Sequence, residues 1–219
     1  MKVAIFDLDG TLLDTAPDIH ACACAALDDA GLPLISLDQA RGFIGNGAPV
    51  FIERTLAAVG KPGDAALHAR LLAGFLSRYH DATGLTRLYP GAAEALDALR
   101  ATGWRLGLCT NKPIAPARQV LAHFGLSGFF GNAVIGGDSL PVRKPDPAPL
   151  RAVLAMLGAE GCWYIGDSET DALTARAAAQ PFALFLGGYR KAPVTDLPHD
   201  WAFDDHASLP AWLEGRAGR

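Results

Sequence analysis

Short apolar runs alternate with longer amphipathic segments along much of the 219-residue chain. A run of three to five apolar residues bounded by turn residues is typical of a buried strand, whereas apolar positions spaced three and four apart indicate a helix. The alternation predicts βαβ units and an α/β fold, with a doubly wound, mostly parallel sheet covered by helices on both faces. The predicted strands are 3–6, 105–109, 133–135, 162–165 and 182–185, with a weaker one near 201–203, and the predicted helices between them are 92–101, 114–124, 147–157 and 169–179.

The segment from residue 15 to residue 87 departs from this alternation. It has helical periodicity throughout and no convincing strand. A helical block between the first and second strands of a sheet is best interpreted as an inserted cap domain. The sequence therefore predicts an α/β core formed by residues 1–14 and 88–219, and an α-helical cap formed by residues 15–87, with helices at 16–30, 37–43, 48–59 and 64–80.

Composition and charge exclude several classes of partner. The formal net charge is −4, so no basic field indicates nucleic acid. No apolar stretch approaches the roughly 20 residues that a membrane helix needs. The first predicted strand begins close to the start of the sequence, with no signal region before it, and we therefore expect a cytoplasmic protein. Its expected partner is a small molecule, and the oligomeric state, monomer or small homo-oligomer, stays open.

Reactive side chains cluster just after four of the predicted strands. In an open parallel sheet, ligands bind outside the carboxyl ends of the strands. Each cluster alone has a structural explanation, such as an Asp-Gly turn, a helix cap or a solvated loop. Four such clusters at one edge of one sheet are better explained by a single site. In chain order they contain Asp7, Asp9 and Gly10; Thr110 and Asn111; Lys144; and Asp167 and Asp171.

The residue types in these clusters favour phosphoryl chemistry. Asp7 and Asp9 are two residues apart at the end of a strand, so their carboxylates point the same way and repel unless a cation or a shared proton relieves them. With Asp167 they form an all-oxygen set that suits Mg²⁺. A lysine, a threonine hydroxyl and turn N–H groups suit phosphoryl oxygens. One carboxylate can accept the phosphoryl group while a second moves protons, which predicts an aspartyl-phosphate intermediate.

The order and spacing of these motifs resemble those of the haloacid dehalogenase superfamily over the full length of the chain. Asp7-Leu-Asp9-Gly-Thr is similar to the first motif of that family, Thr110 to the second and Lys144 to the third. The resemblance implies a Rossmann-like core in which Asp7 is the nucleophile and Asp9 the general acid and base. Thr110 and Lys144 then hold the phosphoryl group, and we expect Gly10 and Asn111 to contribute to the same phosphate-binding loops.

The fourth motif of the family resembles Gly166-Asp167 followed by Asp171. The resemblance implies an Mg²⁺ site held by the carboxylates of Asp7 and Asp167 and by the backbone carbonyl of Asp9. Asp171 is expected to support this metal site from the outer shell.

A loop in the predicted cap carries a finer resemblance. The stretch that contains Arg41 and Gly45-Asn46-Gly47 is similar to the cap of bacterial phosphoglycolate phosphatases. Backbone N–H groups at the start of the following helix suit a substrate carboxylate, and Arg41 adds a positive charge. We therefore expect Arg41, Gly45, Asn46 and Gly47 to bind the carboxylate of 2-phosphoglycolate. The alternative is a simple turn between two helices.

Two other functions stay open at this point. The same catalytic residues suit a phosphatase or phosphomutase acting on another small phosphate, such as a sugar phosphate, although the cap has no second phosphate-binding motif. A non-catalytic binding protein on a hydrolase fold is the remaining alternative. The complete set of acids, threonine and lysine argues against it.

Overall fold

The structure, a computed structural model, describes residues 2–216. These residues form eight strands and ten α-helices, with short 3-10 turns at Val194–Asp196 and His206–Ser208. The strands are β1 (Val3–Phe6), β2 (Leu13–Asp14), β3 (Arg87–Leu88), β4 (Arg105–Cys109), β5 (Val134–Ile135), β6 (Trp163–Gly166), β7 (Phe182–Phe185) and β8 (Trp201–Phe203). The helices are α1 (Ala16–Asp29), α2 (Leu37–Phe43), α3 (Ala48–Ala58), α4 (Ala65–Tyr79), α5 (Ala92–Ala101), α6 (Ile114–His123), α7 (Ser127–Phe130), α8 (Ala148–Met156), α9 (Glu169–Ala178) and α10 (Leu209–Glu214).

Six of the strands form one parallel sheet in the order β5-β4-β1-β6-β7-β8. Strand β1 lies in the interior of the sheet, where Ile5 stands opposite Gly107 of β4 and Tyr164 of β6. The chain adds strands on one side of β1 and then crosses to the other side between β5 and β6. Such a reversal opens a crevice at the carboxyl ends of the strands, which is where ligands bind in open α/β sheets. The predicted α/β, doubly wound fold is confirmed.

Each face of this sheet has its own hydrophobic cluster, because successive residues of a strand point to opposite faces. In β1, Phe6 packs in a cluster with Leu96 and Leu108, whereas Ile5 packs in a cluster with Val153. Helices α5, α6, α7 and α10 cover the first face, and α8 and α9 cover the second. Since both faces are covered, the carboxyl edge of the sheet is the part left for a ligand.

Helices α1 to α4 form a third hydrophobic cluster that includes Leu27, Ile52 and Phe75. The chain enters this region through β2 and leaves it through β3. These two strands pair antiparallel, with Leu13 opposite Leu88. The division of the chain into a core and a cap stays our interpretation of this arrangement. Within residues 2–216, no helix has both the length and the apolar character that are needed to cross a membrane.

The observed elements differ from the sequence prediction mainly at their ends. Strand β6 begins and ends one residue later than predicted, and several helices end one residue earlier. The sequence pattern indicates no strand in the helical region, yet β3 begins at Arg87. It also does not predict α7 or α10. These elements contain two to six residues each, too few for a hydrophobic period to stand out.

Candidate active site

A pocket lies between the carboxyl edge of the sheet and helices α1, α3 and α4. The residues that the strand edge contributes to its lining are mostly polar, whereas most of those from the helices are apolar. The polar residues are Asp7, Asp9, Thr110, Asn111 and Lys112, and the apolar ones include Ile19, Phe51 and Phe75.

Lys144 links the acids at the edge of the sheet. Its Nζ lies 3.0 Å from Asp7 Oδ1 and donates to Asp171 Oδ1 at 2.7 Å and to Tyr164 Oη at 2.9 Å. Burial opposes the charge on Lys144, but the two carboxylates outweigh burial and raise its pKa. Lys144 is therefore a buried ammonium that stays charged, suited to holding an anionic group beside Asp7.

Asp7 is the least satisfied of these acids. Its Oδ1 is buried and has no hydrogen-bond partner among the described residues, because the nearby Lys144 ammonium has ion-pair distance but not hydrogen-bond geometry. Burial, reinforced by the charge of Asp171, raises the pKa of Asp7 from 3.8 to about 7, although Lys144 opposes the rise. Its negative charge is thus poorly stabilised without a further cation.

Asp167 lies just after β6 and is held from two sides. Thr11 Oγ1 donates to Asp167 Oδ1 and the Tyr189 backbone N–H donates to Oδ2, both at 2.7 Å. Burial, followed by repulsion from Asp171 and Asp7, raises the pKa of Asp167 well above its ordinary range. Asp167 therefore resembles Asp7 in being an acid whose charge is costly in this site.

Asp171 differs from the other two acids. Its Oδ2 accepts bonds from Ser168 Oγ at 2.6 Å and from the backbone N–H groups of Ser168 and Asp167, while Lys144 and Tyr164 donate to its Oδ1. Burial raises its pKa, but Lys144 and these hydrogen bonds outweigh burial and lower it. With both oxygens already bonded, Asp171 suits a supporting role better than direct ligation.

The three acids fit a hard divalent cation. One carboxylate oxygen from each of Asp7, Asp167 and Asp171 lies within 4.8 Å of the others, and all three residues are buried. Carboxylate oxygens are the ligands that Mg²⁺ prefers. A cation would also relieve the repulsion that raises the pKa of Asp7 and Asp167. The Asp9 carboxylate is not in this group, and the expected contribution of its backbone carbonyl stays a prediction.

The backbone conformation at position 10 fits only glycine. The φ of Gly10 is +87°, and a Cβ built on this residue lies 2.5 Å from Asp167 Oδ2 and 2.8 Å from the Tyr189 ring. The turn after Asp9 thus lets the first loop approach Asp167 closely. The structure therefore places Gly10 beside Asp167, and its expected contribution to phosphate binding stays a prediction.

The Asp9 carboxylate faces Lys112, which is not among the site residues predicted from the sequence. Lys112 Nζ lies 3.1 Å from Asp9 Oδ1 and donates a hydrogen bond to Tyr79 Oη. The ammonium also lies 4.1 Å from the centre of the Tyr79 ring. Asp9 is thus paired with a buried cation of the neighbouring loop.

Thr110 and Asn111 occupy the loop after β4. The Thr110 side chain lines the pocket, and its Oγ1 accepts from the Lys112 N–H at 3.2 Å. The Asn111 amide is engaged elsewhere, since its Nδ2 donates to the carbonyls of Gly45 and Lys144 and its Oδ1 accepts from the Lys144 N–H. Asn111 therefore joins three loops, and its expected contact with phosphate stays a prediction.

The structure separates the four predicted cap residues into two pairs. Gly45 and Gly47 line the pocket. The Asn46 side chain instead donates to Thr170 Oγ1 at 3.2 Å and accepts from Arg54 at 2.8 Å.

Arg41 also points elsewhere, with its guanidinium 3.7 Å from Asp14 and 3.6 Å from Asp38. Neither Arg41 nor Asn46 lines the pocket. Their role as carboxylate ligands stays a prediction that this arrangement of side chains does not support.

Several residues around the site carried a weak sequence signal or none. Lys112 stands two residues after Thr110. The expectation that site residues follow the carboxyl ends of parallel strands therefore applies to Lys112 as well. Thr11 and Ser168 stand beside predicted acids. Tyr164 lies inside β6 and Tyr189 follows β7 by several residues, so neither follows a pattern that indicates a site.

Comparison with known proteins places the chain in a family. A model of the haloacid dehalogenase-like hydrolases matches residues 1–179. A phosphoglycolate phosphatase of Cereibacter sphaeroides is 54% identical over 214 residues, which cover 97% of this chain and 98% of the relative. A phosphoglycolate phosphatase of Rhodobacter capsulatus is 43% identical and covers 96% of each chain.

Comparison with solved structures agrees with the sequence comparison. A crystal structure described as a predicted phosphoglycolate phosphatase from Haemophilus somnus 129PT superposes with a TM-score of 0.90 at 32% identity and covers 97% of both chains. The chain is therefore an enzyme of the hydrolase class. More particularly, it belongs to the haloacid dehalogenase-like hydrolase family.

Proposed function

We propose that this enzyme hydrolyses a small phosphomonoester, 2-phosphoglycolate, to glycolate and phosphate. The observation that carries the proposal is the buried, unbonded Oδ1 of Asp7 beside the charged Lys144, at the edge of a pocket that also contains Asp9. A fully hydrogen-bonded carboxylate would be a poor nucleophile, whereas Asp7 Oδ1 accepts no hydrogen bond from the described residues. The choice of substrate rests on the relatives, which are phosphoglycolate phosphatases at 43–54% identity over nearly the whole chain.

In the first step, a carboxylate oxygen of Asp7 attacks phosphorus, and the bond between phosphorus and the glycolate oxygen breaks. Asp9 gives its proton to the departing alkoxide, so glycolate leaves as an alcohol. Lys144 and the Thr110 hydroxyl hold the phosphoryl oxygens. In the second step, Asp9 takes a proton from water, which attacks the phosphorus of the aspartyl phosphate. Phosphate leaves and the Asp7 carboxylate is restored.

Mg²⁺ is the proposed cofactor. Asp7 and Asp167 would hold it with the backbone carbonyl of Asp9, and Asp171 would fix the loop behind them. When bound, the cation offsets the repulsion between the Asp7 carboxylate and the anionic phosphate. The proposal draws support from the mutual distances of the three acids and from the raised pKa of Asp7 and Asp167.

The test is the release of phosphate from a panel of small phosphate esters, with purified enzyme in Mg²⁺ and in EDTA. We expect 2-phosphoglycolate to have the highest kcat/KM, activity to be lost in EDTA, and Asp7→Asn to be inactive with every ester. Higher kcat/KM for a sugar phosphate would contradict the substrate, while activity in Asp7→Asn would contradict the covalent mechanism.

A further inference from the structure

The buried ammonium of Lys112 has no role in the proposed mechanism. Lys112 lines the pocket and its side chain is only 3% exposed, yet its ammonium forms no hydrogen bond or ion pair with Asp7, Asp167 or Asp171. Its partners are Asp9 Oδ1 at 3.1 Å and the Tyr79 hydroxyl. A buried ammonium is retained in a protein only where anions or acceptors satisfy it. Lys112 therefore has a stabilised position beside the substrate that catalysis as described does not explain.

The charged residues that line the pocket indicate which part of a substrate Lys112 could bind. Among the described residues that line the pocket, Lys112 is the only basic one, and Asp7 and Asp9 are the acids. A substrate that carries a carboxylate in addition to its phosphate needs a second cation within the same pocket. Lys144, beside Asp7, belongs to the phosphoryl end of the site. Lys112, beside the proton-transfer residue Asp9, is therefore suited to the end that leaves.

Three arginines near these loops, Arg41, Arg54 and Arg143, do not line the pocket. Arg54 donates to the Phe43 carbonyl and to Asn46. Arg41 pairs with acids outside the pocket. Arg143 approaches Gly47, where a Cβ would lie 2.8 Å from its Nη1, but Arg143 is exposed and does not line the pocket.

We propose that Lys112 is a specificity-determining residue that binds the carboxylate of the substrate, with Tyr79 of α4 orienting its ammonium. The inference rests on the proposed function, because it assumes a substrate with a carboxylate near its phosphate. Without substrate, Lys112 pairs with Asp9. On binding, the substrate carboxylate takes up Lys112, and Asp9 Oδ1 becomes available to the leaving oxygen. A neutral substrate leaves the Lys112–Asp9 pair in place and gains nothing from the ammonium.

The experiment compares 2-phosphoglycolate with its carboxamide analogue, which has nearly the same shape but no charge at that end. We expect wild type to favour the carboxylate substrate in kcat/KM. A charge-assisted hydrogen bond in a buried site corresponds to roughly a 10- to 100-fold effect. Lys112→Met should therefore lower the ratio of the two kcat/KM values by that factor. Arg143→Ala, which removes an exposed positive charge near the same loop, should leave the ratio unchanged.

Two further measurements keep the test decisive. Circular dichroism and thermal unfolding establish whether Lys112→Met is folded. If it is not, Tyr79→Phe takes its place, because it keeps the ring under the ammonium and removes only the hydroxyl that orients Lys112. Tyr79→Phe should lower the same ratio, by a smaller factor of a few-fold.

The outcomes separate this inference from the proposed function. If wild type hydrolyses 2-phosphoglycolate but has the same kcat/KM for the carboxamide, only the role of Lys112 is wrong. An equal loss on both substrates in folded Lys112→Met, or a ratio unchanged in Tyr79→Phe where Lys112→Met does not fold, also overturns that role. If wild type turns over other esters but not 2-phosphoglycolate, the proposed substrate is wrong and the inference falls with it.

Discussion

Replacing the proposed nucleophile should make the metal-free enzyme more stable while abolishing its activity. The perturbation is Asp7→Asn, which keeps the size of the side chain and removes its charge. In the folded protein, burial and the neighbouring Asp171 raise the pKa of Asp7 from 3.8 to about 7. Ionised Asp7 therefore destabilises the folded state, and the variant removes that destabilisation.

The magnitude follows from the pKa. At about 1.4 kcal/mol for each pH unit, the rise from 3.8 to about 7 corresponds to about 4 kcal/mol at pH values above 7. Between these two values the folded state binds more protons than the unfolded state, so the free energy of unfolding falls as the pH rises. The advantage of Asp7→Asn over wild type should thus be at least about 2 kcal/mol larger at pH 8 than at pH 5.

The assay is urea denaturation in EDTA, followed by tryptophan fluorescence, at pH 5 and pH 8. Asp171→Asn is the matched control, because Asp171 is the acid in the same site whose charge is stabilised by five hydrogen bonds, one of them from Lys144. Loss of that buried ion pair should destabilise the protein by roughly 3–5 kcal/mol. Equal pH dependence of stability in wild type and Asp7→Asn would refute the reasoning.

The other predictions concern catalysis, metal and backbone. Asp9→Asn should lower kcat by roughly 10²–10⁴-fold, the usual range for a general acid, and rapid-quench assays should locate the loss in departure of the alcohol. Asp167→Ala should raise the Mg²⁺ concentration that gives half-maximal activity, and an unchanged Mg²⁺ titration would contradict its role as a ligand. Gly10→Ala should destabilise the protein in urea denaturation. The φ of +87° at this position costs alanine about 1–3 kcal/mol, and the contact of the new methyl group with Asp167 adds to that cost.

Elements that depend on local interactions could be predicted from the sequence. Helix α2 occupies the predicted range, and its start is fixed by Ser36 and Gln39, which bond to each other's backbone N–H groups within one turn. The β2–β3 pair could not be predicted in this way. Its partners Leu13 and Leu88 are far apart in the sequence, and each strand has only two residues.

The same distinction applies to the residues of the site: their positions could be predicted from the sequence, but the directions of their long side chains could not. Asp7, Thr110 and Asp167 follow predicted strands, and the geometry of parallel sheets brings such residues to one edge. The direction of a long side chain depends instead on partners that the sequence pattern does not contain. Arg41 turns to Asp14 and Asp38, while Lys112 turns to Asp9. The positions of residues after parallel strands therefore indicate which loops meet at the site, the loop of Lys112 included, but they do not predict that the Lys112 ammonium pairs with Asp9.

Asp7 and Asp171 show why stability and activity conflict in this site. Both are buried beside the Lys144 ammonium, yet their pKa values move in opposite directions. Both Asp171 oxygens accept hydrogen bonds, which stabilises its charge and leaves little of its lone-pair density for another bond. Asp7 Oδ1 accepts none from residues 2–216. Burial and the charge of Asp171 raise the pKa of Asp7, and no hydrogen bond to its Oδ1 from the described residues offsets them. In the proposed mechanism this oxygen is therefore available to a cation and to phosphorus, so adding a hydrogen-bond donor beside Asp7 would stabilise the fold and slow the reaction.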